Sequence, residues 1–131
     1  MVQRLLDKQE IVVRNDLNMR KGKLASQVAH ASMKFLLDNN QSDRGDKLIV
    51  ELSPEEAIWC AERFTKVVAR ADSEDELEQL IMKAQLSNVP VYQIVDAGQT
   101  EFHGVPTLTC AAFGPCDAKD LDAITGHLKL L

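Results

Sequence analysis

No stretch of the 131-residue sequence approaches the roughly 20 consecutive apolar residues that a bilayer span needs. The opening residues MVQRLLDKQE carry no continuous apolar segment and no small-residue cleavage site, so they do not read as a secretory leader. A soluble, cytoplasmic protein without membrane association is expected. Cysteine is scarce: Cys60, Cys110 and Cys116 form no C-x-x-C pair. Their odd number fits reduced, buried structural thiols better than a disulfide framework. His30, His103 and His127 lie far apart, with no i, i+4 pair and no cysteine beside them, so neither a metal site nor a cofactor is read. Repeats, low-complexity tracts and Pro/Gly linkers are also missing. Positive charge is in deficit, with a formal net charge of −5. That counts against indiscriminate nucleic-acid binding over a basic surface, and any polyanion must be met locally.

What is present suits one globular domain, with 45% hydrophobic and 27% charged residues. EIVVRND (10–16) is a β-branched run closed by turn residues and reads as a strand. Helical spacing holds from about Gly22 to Asp38, followed by a polar loop over 39–47. Ser53, Pro54 and Glu56 form a capping box that opens a second helix. FTKVVARA (64–71) reads as a strand, and Ser73 with Glu76 opens a third helix. VYQIV ending at Asp96 and TLTCAAF (107–113) are further strands, and Asp117 with Asp120 opens a last helix that stops at Gly126. The expected architecture is a three-layer α/β/α domain with a mixed sheet of about four strands, mostly parallel because helices separate most of them, with the short link between the last two permitting one antiparallel partner.

The helix from Gly22 is apolar nearly all round, so it should be sandwiched between other elements. Its one polar stripe is Lys23, Gln27, His30 and Lys34, which should line solvent or a cleft. The stripe starts at a helix N-terminus beside Arg20, Lys21 and Lys23, a setting that suits a phosphate. It is not a P-loop, because Leu24 follows the Gly-Lys pair and Leu17 stands where the upstream glycine belongs. Asp16 and Asp96 each follow a strand; they either share a rim with the helix start or cap local turns. A Ser–His–Asp assembly from Ser26 or Ser32, His30 and Asp96 is a further arrangement, without a nucleophile-elbow motif to support it.

VVRNDLNMRKGKLASQVAHAS (12–32), FTKVVARADSEDEL (64–77), VYQIVDAGQTE (91–101), TLTCAAFGP (107–115) and TGHLKLL (125–131) together resemble the archaeal and eukaryotic-type (type 2) peptidyl-tRNA hydrolases. The likeness spans nearly everything outside the loop around 38–52. It implies an enzyme that cleaves the ester between a peptide and the 3′-terminal ribose of tRNA, and it implies a homodimer. The family's cleft residues match Lys21, Lys23, His30, Asp96 and Thr109 here, with Gln27 alongside. Two segments depart from the family pattern. Gln99 replaces a usual basic residue after the DAG turn, with Glu101 adding negative charge, and Ala111-Ala112 replaces a larger aliphatic followed by Gly.

Ester hydrolysis needs an oriented water and a stabilised oxyanion, and a carboxylate or imidazole with a facing cation can supply both without a metal. Asp96 is the expected water-orienting base, with His30 as its partner or the alternative base. Lys23 would face the oxyanion or a terminal phosphate, Arg20 and Lys21 would guide the tRNA backbone, and Gln27 and Thr109 would position groups by hydrogen bonding. Two other readings compete: a non-catalytic RNA- or protein-binding module of the same fold, and a small-nucleotide or phosphate-binding domain resting on the Lys21-Gly22-Lys23 helix start.

Overall fold

The computed structural model describes residues 6–131, so part of the N-terminal stretch read for an export signal lies outside it. Strand β1 (Asp7–Arg14) starts earlier than its apolar run suggests. The reason is Gln9, which is fully buried yet satisfied. Its Nε2 donates to the Ser32 carbonyl at 3.0 Å, and its Oε1 accepts from Ser32 Oγ at 2.9 Å. A hydrogen-bonded polar pair thus occupies core space that apolar periodicity cannot reveal.

After a 3-10 turn (Asn15–Leu17) come helix α1 (Lys21–Asp38) and helix α2 (Pro54–Ala61). The capping box of α2 forms as read: Ser53 Oγ accepts from the Glu56 amide, and Glu56 Oε1 accepts from the Ser53 amide. Strand β2 (Lys66–Ala71) begins after Phe64, whose φ of 56° breaks the extended run. Helix α3 (Glu74–Leu86), capped by Ser73, leads to β3 (Val91–Asp96) and β4 (Thr107–Asp117). β4 continues past residue 113 because the early start of β1 gives it a partner as far as Asp7↔Asp117. Helix α4 (Ala118–Thr125) follows, with Asp117 at its cap and Gly126 just beyond its end.

The sheet order is β2-β1-β4-β3. Only β1–β2 is a parallel pair, while β4 runs antiparallel to both β1 and β3. The expected mostly parallel pairing is therefore corrected. β1, β2 and β3 do point the same way, as helical crossovers require. β4 inserts between β1 and β3 and turns what would be a parallel contact into two antiparallel ones.

Successive residues of β1 and β4 alternate between two cores, as the pleat demands. Ile11, Val13, Cys110 and Ala112 meet α1 on one face; Val12, Ala111 and Phe113 meet α3 and α4 residues such as Leu77 and Leu121 on the other. Trp59 of α2 packs edge-on against Phe35 of α1, ring centres 5.8 Å apart, so α2 shares the face of α1. Three layers result, as expected. Cys110 is buried and Cys116 half-buried, and burial pushes their thiols up to about 11 and about 12, with the carboxylates near Cys116 adding to its shift. Cys60 is exposed on α2, contrary to the expectation that all three thiols are buried.

Helix α1 is not sandwiched. It buries only Gln27, Ala31 and Phe35, and leaves Met33 and Leu37 about half exposed at 51% and 52%. The stripe that meets the sheet is i, i+4, i+8 with a polar residue at its head, and Leu24, Val28 and Leu36 beside it are only partly covered. Gln27 meets Asp96 at one end of β3, while Phe35 and Asn39 meet Tyr92 at the other. The helix therefore runs back along β3 in the opposite sense, bringing its basic N-terminus to the strand's carboxyl end.

Candidate active site

At that end four side chains from three elements form one chain of hydrogen bonds. Thr109 of β4, fully buried, donates its hydroxyl to Gln27 Oε1 at 2.6 Å. Gln27, 2% exposed, donates Nε2 to Asp96 Oδ1 at 3.3 Å. Lys23 Nζ reaches the same oxygen at 2.8 Å, with 13% of the lysine side chain and 16% of the aspartate side chain exposed. The second carboxylate oxygen, Oδ2, accepts from the Gly98 amide at 2.8 Å.

Each link has a local cause. Ile94 pairs with Cys110 and Val95 with Leu108, so Thr109 is the extra residue of a β4 bulge, and its hydroxyl lies 3.4 Å from the Ile94 carbonyl oxygen. Lys23 and Gln27 stand one turn apart on α1, so both point to β3. Gly98 has φ +82°, and an added Cβ would meet the Val105 carbonyl oxygen at 2.1 Å, so only glycine permits this turn. The Lys23 ammonium, foremost, together with the Gly98 amide and Gln27, holds the Asp96 carboxyl below the ordinary value of 3.8 against an opposing effect of burial. Asp96 is consequently a fixed anion at neutral pH, with a buried amide and hydroxyl behind it and a cation beside it.

The loop 97–106 adds partners that the sequence reading missed. Lys23 Nζ donates to Thr100 Oγ1 at 3.0 Å and lies 5.6 Å from the Phe102 ring centre. Glu101 accepts from the Arg20 amide at 3.4 Å and faces its guanidinium at 3.9 Å. The sequence marks the DAG turn for Asp96 and names Glu101 for its charge, but singles out neither Gly98 nor any link from Thr100 or Phe102 to Lys23.

The other expected residues fall as follows. Arg20 and Lys21 are exposed at the helix mouth, with the Arg20 side chain 91% exposed. His30 is also exposed and takes no part in the chain from Thr109 to Lys23; it lines a groove farther along α1. Asp16 is not in the cluster, because Arg14 holds both its oxygens, at 3.2 and 2.7 Å. The Ser–His–Asp arrangement is overturned: Ser26 Oγ donates to the Lys23 carbonyl and Ser32 Oγ to Gln9. Among the described residues, no group of three His, Cys, Asp or Glu side chains is placed to hold a metal ion.

A family model described as peptidyl-tRNA hydrolase PTH2 matches residues 7–131. The chain belongs to this family. A peptidyl-tRNA hydrolase from Sulfurisphaera tokodaii is 40% identical over 126 residues, covering 95% of this chain and 98% of that protein. Proteins of the same name from Saccharolobus islandicus and Methanocaldococcus jannaschii are 38% and 39% identical, with 95% of this chain covered in each case. The PTH2 match spans every strand and helix that contributes to the Thr109–Gln27–Asp96–Lys23 cluster.

Proposed function

We propose that this chain is a peptidyl-tRNA hydrolase that cleaves the ester between a peptide's carboxyl end and the 3′-terminal ribose of tRNA. Family membership and relatives of that name along almost the whole chain support the reaction class. The observation that carries the reading is the buried Thr109–Gln27 pair holding an ionised Asp96 against Lys23. A surface that only binds RNA has no need of an anion fixed in this way.

In the proposed mechanism a water accepts guidance from Asp96 and attacks the ester carbonyl. Asp96 has too low a proton affinity to remove a proton fully from water in the ground state, so it orients the water and accepts its proton only as attack proceeds. Lys23 faces the oxyanion or the terminal phosphate. The ester C–O bond then breaks, the proton taken from the attacking water passes to the leaving ribose oxygen, and free peptide and tRNA leave. Gln27 and Thr109 fix the carboxylate's orientation. Arg20 and Lys21, exposed at the helix mouth, meet phosphates of the tRNA, and no metal is required. His30, the alternative base, lines the neighbouring groove, and substrate contact is the role we propose for it. The working form is a homodimer in the cytoplasm.

The direct test is release of N-acetyl-amino acid from N-acetyl-aminoacyl-tRNA by purified protein in the presence of chelator, with free aminoacyl-tRNA as control. Chelator-resistant release from the blocked substrate supports the reading. A folded protein that binds the tRNA without release contradicts it.

A further inference from the structure

One turn beyond the reacting groups, a groove of about 310 Å³ runs between α1 and β3. Ala29, His30, Met33, Lys34 and Leu37 form one side, and Ile94 contributes from the other. Ile94 precedes Asp96 by two residues on the same face of β3, and His30 follows Gln27 by three on α1. The groove therefore begins about one turn of α1 beyond Gln27 and two residues of β3 before Asp96.

We propose that this groove holds the peptide part of the substrate in extended form. The scissile carbonyl would lie at Asp96 and the chain would run back toward Asp38. The inference rests on the hydrolase reading and deepens it. Length is the first argument. From Gln27 to Asp38 the helix spans about 16 Å at about 1.5 Å per residue. That matches about five residues of extended chain at about 3.3 Å each.

Chemistry is the second argument. Met33 and Leu37 offer half-exposed apolar surface, with the Lys34–Asp38 ion pair at 3.1 Å on its rim, which suits varied side chains. β3 is an edge strand, and no strand of the described residues pairs with its outer side. Its outward backbone groups can pair with a peptide main chain whatever the sequence. Continuity with the cluster selects the occupant: a peptide whose ester is held at Asp96 has this groove as its adjoining apolar path.

The test compares kcat/KM for two substrates that share one tRNA and one C-terminal amino acid, an N-acetyl-aminoacyl-tRNA and an N-acetyl-pentapeptidyl-tRNA. Wild-type protein should prefer the longer peptide by on the order of tenfold, mainly through KM, from apolar area newly covered. Met33→Asp and Leu37→Asp should bring that ratio close to one, and Leu37→Met should retain it. Equal rates on both substrates in the wild type, or an unchanged ratio in the aspartate variants, would overturn the groove assignment while leaving the hydrolase reading intact. Release from neither substrate would instead remove that reading. If Leu37→Asp converted a sedimenting dimer to a monomer, the groove would be an interface between copies and the assignment would fail.

Discussion

Thr109→Val removes one hydroxyl at nearly constant shape and tests how the site is held. The Thr109 hydroxyl is fully buried and meets Gln27 Oε1 at 2.6 Å. In the variant that acceptor, on a residue only 2% exposed, loses the threonine donor and is shielded from bulk solvent. An unsatisfied buried acceptor costs about 1–3 kcal/mol. With an unfolding entropy of about 2.1 cal/mol/K per residue, this lowers Tm by about 4–11 °C for a chain of this length. Gln27 is then free to turn, and Asp96 loses one of the groups fixing Oδ1, so turnover should fall about tenfold with little change in tRNA affinity. Thr109→Ser keeps the donor and should recover most of both losses. Thermal unfolding and single-turnover ester cleavage are the assays. A Thr109→Val protein with wild-type Tm and wild-type turnover would refute the claim that the buried pair positions Asp96.

Gly98→Ala places a Cβ 2.1 Å from the Val105 carbonyl oxygen at a φ of +82°, and should destabilise the protein by at least about 1–3 kcal/mol while moving the amide off Asp96, as read by denaturant unfolding and turnover. Ser32→Ala leaves buried Gln9 Oε1 without its donor, so stability should fall by about 1–3 kcal/mol while turnover is kept, because Ser32 lies outside the reacting cluster. Asp96 is held below 3.8 in the folded state, so its pairing contributes fully above that pH and is lost as pH falls through the lower folded value. Wild-type stability should therefore drop more steeply than that of Asp96→Asn below about pH 3.8, measured by denaturant unfolding across the acid range.

Much of this structure is legible in the sequence where the signal is local. Ser53 and Ser73 cap helices as their spacing indicates, and the helix start at Lys21 faces the end of the strand that carries Asp96. Signals that depend on a distant partner are not legible. Gln9 reads as polar surface until Ser32 is known to satisfy it. Gln27 shares a stripe with His30 on a helical wheel, yet the sheet covers only Gln27, because Thr109 and Asp96 lie opposite it. The position of β4 between β1 and β3 depends on pairing energies across the whole sheet, which connection lengths leave open. Thr100 and Phe102 reach Lys23 only because the turn at Gly98 folds the loop back over the start of α1.

The most direct measurement is single-turnover cleavage of N-acetyl-aminoacyl-tRNA by Asp96→Asn beside wild type, with tRNA affinity measured in parallel. Asparagine keeps the size and loses the anion that Lys23, Gln27 and Gly98 hold. The account predicts a fall on the order of 100-fold or more in the cleavage rate, with tRNA affinity nearly preserved. Wild-type cleavage by a folded Asp96→Asn protein would contradict it.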